Sequence, residues 1–175
     1  MLYQNQGDGT FTLVTVGADL GGTSQDAVFV DYDNDGDLDL AITQESATNV
    51  LLQNGTDDEN YLKVRLIGHG PAMTNKAAIG VRVDLYQSNG TTFIARREIG
   101  VARGLGGTEP IWVHFGGVTK TTTYVVKAHF VSGVVDTTVV PQSVSTTIGS
   151  VTILQMVTIT ERKPNVSVWA EVDPR

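Results

Sequence analysis

Cysteine is absent from the 175 residues, which excludes disulfide staples, thiolate metal sites and a cysteine nucleophile. Aromatic residues are scarce at 7%, while valine, threonine and glycine are abundant. That balance favours strands and turns over helices. No apolar run approaches the roughly 20 residues that a membrane-spanning helix needs. Positive charge is also short: 12 Lys and Arg stand against 19 Asp and Glu, for a net charge of −7. With no basic patch and the wrong overall sign, nucleic acid is not an expected partner. The 41% of hydrophobic residues suffice for a buried core in one large domain or two small ones.

The acidic excess is not evenly spread. Asp31, Asp33, Asp35, Asp37 and Asp39 alternate through Asp31-Tyr32-Asp33-Asn34-Asp35-Gly36-Asp37-Leu38-Asp39. Carboxylates packed this closely repel one another and call for a cation. Calcium takes six to eight oxygens at about 2.3–2.6 Å, and a tight loop supplies them from alternate positions. Asp31, Asp33 and Asp35 hold positions 1, 3 and 5, and Gly36 permits the sharp turn at position 6. Asp37 would offer its backbone carbonyl, and Asp39 would close the shell directly or through water. The EF-hand glutamate at position 12 is replaced by Ile42, and the flanking patterns are strands instead of helices. Magnesium, which prefers rigid octahedral sites rich in water, fits less well. The expected role is structural, with metal binding contributing to folding. A solvated acidic turn is the plainer alternative.

Period-2 patterning surrounds this loop. Ala27-Val28-Phe29-Val30 leads in, and Leu38, Leu40 and Ile42 alternate with Asp39, Ala41 and Thr43 on the way out. Asn49 to Gln53 reads as a further strand. Leu51-Leu52-Gln53-Asn54 also repeats Leu2-Tyr3-Gln4-Asn5 at an offset of 49 residues, a period in the range of propeller blades. From Tyr61 onward the expected strands are Tyr61 to Ile67, Ile79 to Tyr86, Phe93 to Val101, Ile111 to Phe115, Tyr124 to Phe130, Val134 to Val140 and Val151 to Ile159. Ser88-Asn89-Gly90-Thr91 marks a hairpin turn. Short strands with glycine-rich turns predict a β-sandwich, and no amphipathic helix of three turns is evident. After Pro164, Val166, Val168, Ala170 and Val172 share one face of an extra strand over 165–172. The opening Met1-Leu2-Tyr3-Gln4-Asn5 is strand-like and carries no signal-peptide pattern, so it is expected to be the trimmed start of a longer precursor.

Residues 1–57 resemble the FG-GAP or VCBS-type repeat of bacterial surface proteins and integrin-like propellers. The matching residues are Leu2-Tyr3-x-Asn5-x-Gly7-Asp8-Gly9-Thr10-Phe11 and the aspartate loop 31–39. Roughly residues 61–135 look like the ASPIC/UnbV domain that often follows such repeats. Tyr61 to Gly68, Ala78 to Val83, Arg97-Glu98-Ile99 and Val113-His114-Phe115-Gly116 carry that resemblance. Where that family has a Trp-Pro-Ser-Gly-like segment, this chain has Ala128 to Gly133. The expected fold is all-β: a partial propeller-type blade with a calcium loop (1–57), packed on or followed by an Ig-like β-sandwich (61–161), then a tail (162–175).

Signs of catalysis are weak. No nucleophile elbow, zinc-protease helix or P-loop occurs. His69, His114 and His129 lie in or beside strand patterns, where half-buried or surface roles are the rule. Gly104-Leu105-Gly106-Gly107 precedes no helix, so it reads as a turn and not as a phosphate cradle. Arg96, Arg97 and Arg103 read as a solvated edge. Trp112, Trp169, Tyr86 and Tyr124 could instead form a glycan-stacking face, although Trp112 and Tyr124 suit a core equally well. Three glycosylation sequons begin at Asn54, Asn89 and Asn165. The expected protein is non-enzymatic, extracellular or cell-surface, and calcium-bound. Its expected partner is another copy of itself, reached head to tail by adding strand 165–172 to a neighbouring sheet, which would build a fibre. A C-terminal fragment of a multi-repeat adhesin, or a glycan-binding module, is the alternative.

Overall fold

The computed structural model describes residues 2–14, 23–56, 58–101 and 109–162. Among the described residues the chain is all-β, with one 3-10 turn at Pro141–Ser143 and no α-helix. Its described strands form several small, mostly antiparallel sheets and among themselves close neither a barrel nor a propeller. Two compact units divide the chain: the first takes the residues up to Glu59 and, further on, Glu109, and the second takes Asn60–Val101 and the residues from Pro110 onward.

Among the described residues the first unit holds five strands. β1 (Leu2–Asn5) and β2 (Phe11–Val14) pair as an antiparallel hairpin. β3 (Ser24–Val30), β4 (Asp39–Gln44) and β5 (Val50–Leu52) form an antiparallel sheet in that order. Cross-strand register lines up Phe29, Leu40 and Leu52, and beside them Ala27, Ile42 and Val50, on one face. Val28, Ala41 and Leu51 line up on the other. Both faces are therefore apolar, a pattern usual for sheets covered on both sides. Only Ile42 among the unit's described hydrophobics is buried, while Tyr3, Phe11, Leu13, Phe29 and Leu51 are exposed.

The second unit is a two-layer sandwich. One layer is β11-β10-β7-β8: β7 (Arg82–Gln87), β8 (Phe93–Glu98), β10 (Tyr124–Phe130) and β11 (Gly133–Val139). The other is β14-β6-β9: β6 (Tyr61–Ile67), β9 (Trp112–Gly116) and β14 (Met156–Thr160). Alternation builds the core directly. Leu62, Val64 and Leu66 of β6 and Val113 and Phe115 of β9 meet Val83 and Leu85 of β7 and Val126, Ala128 and Phe130 of β10. Burying each of these valine, leucine or phenylalanine side chains gains about 1.5–3 kcal/mol.

The expected strand Val151 to Ile159 is in fact two. β12 (Ser145–Ile148) pairs with β13 (Val151–Leu154), and β14 then runs parallel to β6. Gln155, at φ 49°, breaks the extended chain and lets it change sheets. The strand expected from Ile79 begins only at Arg82, because Ala78 and Gly80 take left-handed turn conformations at φ 55° and 83°. The hairpin at Ser88 to Thr91 forms as expected, with the Asn89 carboxamide oxygen accepting from Thr91 N and Thr92 N at 2.9 Å each. The expected donor strand 165–172 lies outside the described residues.

Glu161 ties the end of β14 to two loops. It is buried and accepts from His69 N (2.9 Å), Thr74 Oγ1 (2.9 Å), Thr74 N (3.2 Å) and Ser132 N (3.3 Å). Desolvation pushes its pKa upward, but these donors outweigh it and hold the carboxyl down at about 2. The loop closes tightly at Gly68, where a Cβ would sit 2.2 Å from Asn75 O.

Candidate metal centre

β3 and β4 converge on the pair Val30 and Asp39, so the chain must reverse through residues 31–38. Asn34 at φ 64° and Gly36 at φ 101° supply the left-handed turns. Asparagine tolerates that region and glycine favours it. The curl turns backbone donors onto the loop's own carboxylates. Gly36 N donates to Asp31 Oδ2 at 3.0 Å, Asp37 N to Asp35 Oδ1 at 2.9 Å, and Asp35 N to Asp33 Oδ1 at 3.3 Å.

Asp31, Asp33 and Asp39 converge, each offering an oxygen within 4.8 Å of the others. Asp31 and Asp39 are buried and Asp33 is exposed, so the trio opens to solvent on one side. Two oxygens bound to one calcium at about 2.3–2.6 Å lie at most about 5.2 Å apart. The spacing therefore fits a single cation, and the all-oxygen carboxylate set suits a hard one. Asp35 and Asp37, also expected as ligands, belong to the same loop but not to this convergent trio. The hydrogen bond from Asp37 N lowers the Asp35 pKa, yet desolvation and the neighbouring charges of Asp33, Asp31 and Asp37 prevail and raise it.

The two residues just after β5 brace the trio, which sequence reasoning missed. Asn54 N donates to Asp39 Oδ1 at 2.9 Å, while Tyr32 N reaches Asp39 Oδ2 at 3.2 Å. The Gln53 amide donates to Asp33 Oδ2 at 2.8 Å, and Asn54 Nδ2 to Leu38 O at 3.4 Å. Donors of this kind fix ligand orientation and raise metal affinity. The repeated Leu-x-Gln-Asn was the available signal. Its repetition marks periodicity, and its polar half performs the bracing.

Other candidate residues are dispersed. Asp8 sits in the β1–β2 turn, where hydrogen bonds from Thr10 Oγ1 (2.6 Å) and Thr10 N (2.9 Å) lower its pKa. His114 stacks on Tyr61 with ring centroids 5.8 Å apart, and His129 lies between Arg82 (2.9 Å) and Asp84 (3.0 Å). Arg96 makes a two-pronged pair with Asp84 at 2.6 and 3.1 Å and lowers that carboxyl's pKa. The four-ring stacking face is not assembled. Tyr124 is a core residue, Trp112 sits on the opposite layer from Tyr86, and Trp169 lies outside the described residues, as do Arg103 and Gly104 to Gly107.

Residues 1–42 match the FG-GAP-like repeat family, which covers the N-terminal hairpin, β3, the aspartate loop and the start of β4. Among curated proteins no match is found. A repeat of this kind suggests a β-propeller-type or adhesin-type module.

Proposed function

We propose that this chain is an extracellular, non-enzymatic adhesin-type module whose aspartate loop binds calcium as a structural ion. The observation that carries this reading is the trio Asp31, Asp33 and Asp39, held by Gln53 and Asn54 just after β5. Asp31, Asp33 and Asp39 would ligate through carboxylates, with Asp35 and the Asp37 carbonyl completing the shell. The ion would neutralise a knot of charge and fasten β3, β4 and β5 together. The ASPIC/UnbV-like reading of 61–135 belongs to the same proposal, supported by strands β6, β7 and β9 on the residues that carry the likeness. So does assembly with other copies into a surface fibre, with 165–172 as donor strand. The exposed apolar residues of the first unit support association.

Isothermal titration with calcium and then magnesium tests the site. Calcium binding that disappears in Asp39→Asn is expected; heat from neither cation would overturn it. Electron microscopy with calcium and after EGTA tests assembly. Filaments that fray on chelation support the fibre, and single particles in both conditions leave only the adhesin module.

A second reading rests on the outer face of β7 and β8. Tyr86 and Phe93 meet edge to face at 5.8 Å, with Lys127 Nζ 4.5 Å over Tyr86 and Arg96 5.7 Å over Phe93. Such a ring pair suits a sugar face or an anionic glycan. A glycan array with Phe93→Ala as control decides it, and an array without signal removes it.

A further inference from the structure

The tripeptide Asn-Gly-Thr occurs at Asn54-Gly55-Thr56 and again at Asn89-Gly90-Thr91. An asparagine before glycine is open to a spontaneous reaction, because no Cβ on the glycine shields its backbone nitrogen from the neighbouring side-chain amide. The two copies share this local chemistry and differ in what the fold does with it. At the β7–β8 hairpin, Gly90 N donates to Gln87 O at 2.9 Å. The Asn89 side chain is held at both ends: Oδ1 accepts from Thr91 N and Thr92 N at 2.9 Å each, and Nδ2 donates to Thr92 Oγ1 at 2.8 Å. Just after β5, Asn54 and Gly55 are exposed, and Gly55 N has no hydrogen-bond partner among the described residues. Asn54 Oδ1 accepts from Thr56 Oγ1 at 2.8 Å and from Thr56 N at 3.3 Å. In both copies, donors therefore sit on the amide oxygen where negative charge gathers during attack on Cγ. The attacking nitrogen is what differs, tied down at Gly90 and untied at Gly55.

We infer that Asn54 is a site of spontaneous deamidation, that Asn89 is protected from it, and that the change at Asn54 loosens the metal centre. Gly55 N, giving up its proton to solvent base, bonds to Asn54 Cγ while the bond from Cγ to Nδ2 breaks and ammonia leaves. Water then opens the resulting cyclic imide at either carbonyl. Opening at Cγ leaves aspartate. Opening at the backbone carbonyl leaves isoaspartate, whose main chain runs through Cβ and Cγ and is one carbon longer. Both products replace a neutral amide by a negative charge. Asn54 Nδ2 donates to Leu38 O at 3.4 Å, so in aspartate an oxygen at that place sets acceptor against acceptor. Asn54 N holds Asp39 Oδ1 at 2.9 Å, and the new charge repels that carboxylate in either product. Residue 54 is thereby pushed away from the loop it braces.

The effect on the metal centre rests on the calcium reading above; the reaction itself does not. The whole chain is aged in mildly alkaline buffer, folded and in urea, and peptide mapping by mass spectrometry follows both asparagines. In the folded chain Asn54 should react roughly tenfold faster than Asn89, the factor that one hydrogen bond on the attacking nitrogen supplies. In urea the two identical tripeptides should react alike. Gly55→Ala should slow Asn54 to the rate of Asn89 or below without disturbing the fold, since a Cβ on Gly55 meets nothing within 4 Å. Equal rates in the folded chain, a difference that persists in urea, or a Gly55→Ala variant that ages as fast as the parent each overturn the inference. The aged, more acidic fraction, separated by ion exchange, should bind calcium roughly tenfold more weakly, and unchanged affinity overturns the link to the metal centre. If the unaged chain binds no calcium, the metal reading fails, and the rates at the two asparagines still decide the site of deamidation.

Discussion

The two units solve the same problem in different ways. The sandwich turns one face of each layer inward and closes over Leu62, Val64, Leu85, Phe115 and Val126 with its own side chains. The first unit carries apolar ladders on both faces of a three-stranded sheet and buries only Ile42 of its described hydrophobics. Three strands with one covered face can stand alone, but a sheet with two apolar faces cannot cover both by itself. The lesson is that a large core can hold one unit without a ligand. The other needs cross-ties, and the aspartate loop with its Gln53 and Asn54 brace is where they gather.

The largest break in this comparison is expected in the sandwich. Phe115 is fully buried at its centre, so Phe115→Ala should cost about 3–5 kcal/mol. Chemical denaturation checks it, and the loss should be the same with and without calcium. A loss that calcium repairs would show that the units do not divide stability as described.

Glu161 comes next. With its folded pKa at about 2 against an ordinary 4.5, the carboxylate contributes fully above about pH 4.5. That contribution drains away as pH falls toward about 2, and it amounts to on the order of 3 kcal/mol. Glu161→Gln should remove a similar amount at neutral pH and flatten the acid limb of the stability curve. A variant that keeps the wild-type acid limb would assign that limb to other carboxylates, Asp84 first.

Much of this architecture was legible in the sequence because strand alternation writes the inward face directly. Tyr124 to Phe130 emerged with both ends correct, and the hairpin at Asn89-Gly90 followed from its turn residues. The break at Gln155 was not legible, because Val151 to Ile159 is continuously strand-like and only the tertiary pull of β6 on Met156 to Thr160 divides it. In the metal centre, the loop's spacing pointed to all of Asp31, Asp33, Asp35, Asp37 and Asp39, of which only Asp31, Asp33 and Asp39 converge. The bracing by Gln53 and Asn54 depends on β5 lying beside β4, which is a fact of register and not of local pattern. The buried clasp of Glu161 joins residues 87 positions apart, beyond the reach of any local signal.

Calcium should act on one side of the comparison only. At a concentration a hundredfold above the dissociation constant, one bound ion adds about 2.7 kcal/mol to the state that binds it. Hydrogen exchange should therefore slow at Ala27 to Val30 and Leu40 to Thr43, and stay unchanged at Val126 and Ala128. Equal protection of both sets would mean that calcium steadies the whole chain and that the first unit is not its particular dependant.

The smallest effect is the most diagnostic. Gln53 touches the site through one hydrogen bond to Asp33 Oδ2 and is not a candidate ligand itself. Gln53→Leu keeps the side chain's bulk while removing that donor, so it should weaken calcium binding roughly tenfold, or about 1.4 kcal/mol. Stability in the presence of EGTA should barely change, since an exposed amide bonded to an exposed carboxylate contributes little without the ion. Titration calorimetry and denaturation in EGTA, run on the same preparation, separate the two quantities. Equal losses in both would make Gln53 a structural residue of the sheet. Loss of affinity alone identifies Gln53, the residue just after β5, as a positioning residue for the metal.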